Sequence, residues 1–498
     1  MNIEKVVNGH LVSLQKRLAR LTNIYILLAI AMGAIAGCAV VLFNNPLYIL
    51  LALFGIVVFL VSLYSEDFGL LVLVFTSYSR FSDILIEYHG FVSFAKPFIA
   101  VLVATIFVRW GLFGERPKGW LRPAILFGLF SLTGLFSLFY SPVPDRVMNQ
   151  WFDDLKDILI AMIVVVLLQR GPMFRRVLWT LVAVGLFLGN LSVIQYFTGT
   201  FDNDYGGFAI SQEHQIVGEV DDFRSTGPIG DPNFFAQIMV VLVPIAFERF
   251  LHEKRTSLRL LALWAFGVSV LSVIFTYSRG GFLAMAAGML IIFLYYPPRG
   301  IQIPVLIFSM TVFALLLPPN YVERLSTLTE LFTPTGNLRT EEMSLRGRLS
   351  ENLTAIEMVK TNPLFGVGLN SFNYLFPEYS KKLGLALVAT EREAHNLYLE
   401  VAAETGLIGF LVLVIVLGAC MRTLLRARGL FERADMPEYS GMVTGFMAGL
   451  VGYLVAALYI HNAFPRYFFL LLGIAMAVRL VVENTVDHHQ NPDRELVL

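Results

Sequence analysis

Apolar runs about twenty residues long recur along this chain, and a run of that length is what a helix needs to cross a hydrocarbon core ~30 Å thick. They lie near 22–44, 47–64, 67–79, 91–109, 121–140, 152–169, 175–198, 232–251, 257–277, 280–296, 302–318, 397–421, 440–460 and 465–483, about fourteen in all. Lipid offers no water to satisfy backbone N–H and C=O groups, and none of the runs alternates like a strand, so they predict helices. Composition agrees: 56% of residues are hydrophobic and 15% charged, against about 25% charged in soluble domains. The 498 residues therefore predict an all-α polytopic membrane protein rather than a string of soluble domains. Two cysteines, Cys38 and Cys420, both sit in apolar runs, which excludes a disulfide framework and a thiolate metal site. Zero net charge gives no reason to expect a nucleic acid partner. Lys16, Arg17 and Arg20 precede a first run too long for a signal-peptide core, so that run predicts an anchor.

Basic residues fall on alternate connections. Lys5, Lys16, Arg17 and Arg20 begin the series; Arg109, Arg116, Lys118 and Arg122 follow, then Arg170, Arg175 and Arg176. Arg249, Lys254, Arg255 and Arg259, then Arg299, then Arg422, Arg426, Arg428 and Arg433 complete it. The positive-inside rule puts these connections and both termini in the cytoplasm, and the others outside. Two outer segments are long. Residues 199–229 carry Asp202, Asp204, Glu213, Glu219, Asp221 and Asp222 against Arg224 alone, a solvated exterior or a metal site. Residues 319–395 contain Leu349, Leu353, Ile356 and Val359, spaced as the apolar face of an amphipathic helix that ends at Pro363 and the glycines of "NPLFGVGLNSF". The chain thus divides into N-terminal spans (1–318), an external loop (319–395), and C-terminal spans with a tail (396–498). No internal repeat is visible.

The outer ends of the spans collect a particular set of polar residues. "FRSTGPIGDPNFFAQ" puts Arg224 before a span and Asn233 near its first turn; "FTYSRGGFLA" puts Arg279 in a break between two spans. "SLRGRLSENL" supplies Arg346 and Arg348, "EREAHNLYLE" supplies His395 and Asn396, and "YIHNAFPRYFF" supplies His461 and Arg466. Taken singly, an arginine at a span end snorkels to headgroups, and a boundary histidine such as His461 is an interfacial hydrogen-bonding group. Lys156 in "FDDLKDILIAM" is either a costly intramembrane charge with a function or half of a local Asp–Lys pair. Taken together they suggest chemistry. Guanidiniums bind phosphate oxygens bidentately, and a helix starting beside Gly280 and Gly281 would add N–H donors. Arginines around a histidine favour its neutral form, which can take a proton from an attacking hydroxyl. A phosphate clamp with a base fits displacement of a polyprenyl diphosphate, with no nucleotide, metal or other cofactor required.

Four blocks in order, "RSTGPIGDPNFFAQ", "TYSRGGFLA", "SLRGRLSENLTAIEMVKTNPLFGVGLNSF" and "AHNLYLEVAAETGLIG", resemble the O-antigen ligase and polymerase superfamily of bacterial envelope proteins. The resemblance implies a helical glycosyltransferase of the broad C type (GT-C) in the cytoplasmic membrane, working at its outer face. It implies an undecaprenyl-diphosphate-linked glycan donor and a glycan or lipid A–core acceptor. Arg224, Arg279 and Arg348 would hold the diphosphate, His395 would activate or position the acceptor, and Lys156 matches a basic position upstream. Inversion at the anomeric carbon without a metal is implied, and a flippase and chain-length regulator are partners by analogy. The "PIGDPN" spelling departs from the pattern by placing an acid, Asp231, beside the clamp. Ligase, polymerase and protein O-oligosaccharyltransferase all remain open, with a lean to polymerisation; no further domain follows the last run, which disfavours the third. A transporter or flippase of lipid-linked saccharide would instead spread polar residues through span centres and show two related halves.

Overall fold

A computed structural model describes residues 46–114, 116–217, 220–304, 307, 311, 342–385 and 391–490. The expected runs 22–44 and most of 302–318 lie outside these residues, as do Cys38, Glu219, the first basic cluster and the side chain of Arg346. Residues Met1–Gly69 and Leu70–Leu498 form two compact units. The described part of the first holds α1 (Pro46–Tyr64) and the start of α2 (Glu66–Tyr78).

The second unit is a bundle of α3 (Phe81–Glu87), α4 (Ala95–Phe113), α5 (Leu121–Phe136), α6 (Pro144–Leu167), α7 (Gly171–Thr198), α8 (Pro232–His252), α9 (Thr256–Phe275), α10 (Arg279–Tyr295), α13 (Leu397–Arg433), α14 (Pro437–Ala456) and α15 (Pro465–Gln490). Among the described residues two further helices, α11 (Glu342–Thr361) and α12 (Phe372–Lys382), lie between α10 and α13 in the chain. Among the described residues, eight helices are long and apolar enough to cross a membrane, or nine if the α2–α3 pair, bent by 55°, is one span. This is a multi-pass membrane protein. Part of the difference from fourteen falls on runs outside the described residues, and part is physical. α10 has 17 residues, about 25 Å of helix, and α6 carries Asp153, Asp154, Lys156 and Asp157 through the middle of its length.

The bundle centres on α8, whose apolar 18-residue stretch is 83% buried in protein. It packs against α9, α10 and α14. Closest approach to α14 uses small residues four, four and three apart: Gly441, Gly445, Gly449 and Gly452. A Cβ at Gly449 would come within 2.6 Å of the Val241 carbonyl, and one at Gly445 within 2.8 Å of Glu248. Small-residue faces of this kind let helices associate where lipid removes the hydrophobic drive. α4, only 11% buried, faces outward instead.

The ends of the bundle differ chemically. At the C-terminal end of α8, Arg249 pairs with Glu248 at 2.7 Å, and Arg175 of α7 pairs with Glu253 at 2.7 Å and Glu438 of α14 at 3.4 Å. Arg428 lies over the Tyr295 ring at 3.9 Å. Residues that the charge pattern places on one side therefore gather at one end. The opposite end carries an element the sequence reading missed. Within 199–229, Ile210–Val217 (β1) and Val220–Gly227 (β2) form an antiparallel hairpin, pairing Ile210 with Gly227 and Glu213 with Phe223. The described residues are thus helical with one small hairpin.

Candidate functional site

The hairpin docks on the break between α9 and α10. Arg224 of β2 is 7% exposed and donates through Nε to the Thr276 carbonyl at 2.7 Å. Tyr277 adopts a left-handed φ of 51° and donates its hydroxyl to Asp222 Oδ2 at 2.7 Å. Burial, Tyr196 and the Asp222 carboxylate push the Tyr277 hydroxyl well above its usual range, so it stays a donor. Ser278 then caps α10, its Oγ accepting from the Gly281 N–H at 3.2 Å and donating to Asn233 Oδ1 at 2.8 Å. Asp231 caps α8 by accepting from the N–H groups of Asn233 and Phe234. Asn233 thus supports a cap. The two glycines after Arg279 admit protein: a Cβ would meet Ala236 at 2.6 Å from Gly281 and Tyr459 at 3.0 Å from Gly280. One helix-end donor expected to serve a phosphate is therefore already taken.

The facing wall is α11 with the segment before α13. Arg348 feels charges from both walls. Burial and the nearby Arg279 guanidinium pull its pKa down, while Glu351, Asp231 and Tyr459 push the other way. One turn along, Glu351 is 3% exposed. Its Oε1 accepts from Arg392 Nη1 at 3.1 Å, and its Oε2 lies 3.0 Å from His395 Nδ1. Gly347 makes room for this, since a Cβ there would meet Arg392 Nη1 at 2.8 Å. His395 itself sits at a left-handed φ of 45°, with Nδ1 3.1 Å from the Glu393 carbonyl. Its ring stands edge-on to His461 at 5.5 Å, and His461 edge-on to Phe234 at 5.1 Å.

The expected electrostatics of His395 need correction. Burial lowers its pKa and Arg348 lowers it further, yet Glu351 more than offsets both, and the net shift is upward. His461 goes the other way: burial, then the neighbouring His395, hold it down at about 3. It is a neutral ring beside a titratable one.

Other expected residues have structural partners. Asn396 caps α13, its Oδ1 accepting from the N–H groups of Tyr398 and Leu399. Lys156 is largely exposed and pairs with Asp153 at 2.6 Å, the local pair. Arg466 reaches Asp83 at 2.7 Å and Asp157 at 3.3 Å, fastening α15 to α3 and α6. α11 is indeed a helix, but its buried face is Glu351, Thr354, Ala355 and Met358; of the expected stripe Leu349, Leu353 and Ile356 are exposed, while Val359 packs against the core. The glycine-rich stretch after it has a packing role. Gly366 and Gly368 lie against the backbone of α13, Val367 N–H and Gly368 N–H donating to the Ala403 and Glu404 carbonyls at 2.8 Å. The Glu404 side chain accepts from the Phe372 N–H at 3.1 Å. α13 kinks there at Gly406, φ 69°.

Sequence reading missed Glu351, Arg392 and Tyr459. Glu351 stands three residues after Arg348, on the same side of a helix, which was the available signal. Residues 264–414 match the O-antigen ligase family model. This domain match over part of the chain supports assigning it to that superfamily, and it spans Arg279, Arg348, Glu351 and His395. No curated protein matches the chain.

Proposed function

Proceeding from that assignment, we propose that the chain is a glycosyltransferase of the ligase or polymerase kind, moving an oligo- or polysaccharide from undecaprenyl diphosphate to an acceptor hydroxyl. The observation that carries this reading is the meeting of Arg279, Arg348 and His395, from three distant segments, at one end of the bundle. We place that end at the outer face of a bacterial cytoplasmic membrane, with both termini inside, because the alternate basic connections gather at the other end. The architecture we propose is of the GT-C kind.

In the reaction, Arg279 and Arg348 bind the diphosphate and stabilise the charge that grows on it. Arg224 adds positive field from behind the Thr276 carbonyl. The acceptor oxygen attacks the anomeric carbon from the face opposite the leaving group. The new C–O bond forms as the old bond to phosphate breaks, its electron pair leaving with undecaprenyl diphosphate. The acceptor proton passes to the His395 imidazole and then to solvent.

The test is transfer by purified protein given undecaprenyl-diphosphate oligosaccharide, comparing wild type with His395→Ala and Arg348→Ala. Both variants are expected to lose on the order of 100-fold or more in rate. Product length distinguishes the branches: a ladder means polymerase, a single addition to lipid A–core means ligase, and a glycosylated protein means the third. Donor crossing liposomes with no new glycosidic bond would overturn the reading in favour of transport.

A further inference from the structure

We propose that Glu351 is a positioning residue for His395, holding the proton on Nδ1 and leaving Nε2 as the nitrogen that accepts the acceptor's proton; this rests on the transferase reading above. The geometry around Nδ1 carries it. Two oxygens flank that nitrogen, Glu351 Oε2 at 3.0 Å and the Glu393 carbonyl at 3.1 Å. A ring nitrogen facing two acceptors carries the hydrogen, which fixes the tautomer and exposes the lone pair on the other nitrogen. The Nδ1–H is aligned on the carbonyl, and Glu351 supplies the charge beside it. That buried Oε2 has no hydrogen-bond partner and meets Nδ1 as an ion-pair contact at 3.0 Å, while Oε1 is committed to Arg392 at 3.1 Å. The carboxylate is thus anchored by one oxygen and aimed with the other.

The backbone points the same way. His395 occupies a left-handed conformation that costs a non-glycine residue roughly 1 kcal/mol, and such outliers concentrate where a side chain must be aimed. Its conformation is held on both sides, by the Nδ1 contact to Glu393 and by the Asn396 cap of α13. The groups facing the ring are Arg348 and Glu351 from α11, Arg392 and Glu393 from its own segment, and His461 from the connection between α14 and α15. Of these, Glu351 is the acid in contact with the ring through its side chain.

The experiment is histidine NMR of the full-length protein in detergent, with His395 assigned by His395→Ala, run beside a pH profile of transfer. Wild-type His395 is expected as the Nδ1–H tautomer when neutral. In Glu351→Gln its midpoint falls by about one pH unit or more, the acid limb of the rate profile moves to lower pH with it, and the plateau drops roughly 10- to 100-fold. Glu351→Asp, the variant to use if the amide fails to fold, keeps part of the shift. Arg392→Met separates aiming from fastening, since losing that cation leaves the midpoint in place or moves it up. An Nε2–H tautomer, or a midpoint unmoved in Glu351→Gln, overturns the proposal. Because the tautomer and midpoint are read without substrate, they decide it even if transfer itself is never seen.

Discussion

His395 and Glu351 show how a single contact reverses an argument from charge counting. Arginines nearby favour a neutral imidazole, but a carboxylate at 3.0 Å acts at shorter range and wins. The sign has a measurable consequence for stability. Because the folded-state pKa is raised, the pair contributes fully below the unfolded value near ~6.5 and is lost as pH rises through the folded pKa. Thermal midpoints of wild type are therefore expected to fall across that window, and those of Glu351→Gln to be flatter there. Arg348 makes a second residue-level prediction. Its fork suits a diphosphate in a way an ammonium does not, so Arg348→Lys is expected to keep the fold, raise the donor KM several-fold and recover little of the rate. A lysine variant with wild-type kcat/KM would mean that charge alone matters there.

At the scale of elements, the motifs that most resemble the superfamily divide into chemistry and joinery. "NPLFGVG" and "AAETGLIG" lie against each other, their glycines removing the side chains that would collide. A Cβ at Gly406 would run into the Leu364 carbonyl, and one at Gly366 into the backbone of Glu404. Gly406→Ala also forces alanine into a positive-φ extended conformation (φ 69°, ψ −173°) that is essentially reserved for glycine, costing about 1–3 kcal/mol before any clash. It is expected to lower the thermal midpoint and folded yield; wild-type stability in that variant would mean α13 does not need its kink. The apolar stripe of α11 was legible as periodicity, but not its direction. Periodicity reports that one face differs, and in a membrane protein the greasier face can be the one turned away from protein.

For the molecule as a whole, stability at the end away from the site rests on charges withdrawn from both water and lipid. Glu248 and Arg249 are fully buried, and removing Arg249 leaves the buried Glu248 carboxylate relying on His252 at 3.0 Å. Arg249→Met is therefore expected to destabilise by roughly 3–5 kcal/mol, read as a loss of thermal midpoint or of monodisperse protein. Glu248→Gln with Arg249→Met together should recover part of that loss; a double variant no better than the single would mean the pair is not coupled.

The sequence by itself determined the helical membrane class, the segregation of basic residues to one end, and the segments that carry Arg279, Arg348 and His395. Those follow from local quantities: run length, the cost of unsatisfied backbone in lipid, and which residue types stand beside a break. Tertiary structure alone decided which members of that set meet. Asn233 and Asn396 became caps, Lys156 and Arg466 found acids, and the hairpin took Arg224 to the Thr276 carbonyl. Glu351, the residue that sets the charge and tautomer of His395, lies 44 positions from it in sequence and 3.0 Å from it in space. An electrostatic environment depends on distance through the fold, and no spacing along the chain encodes that.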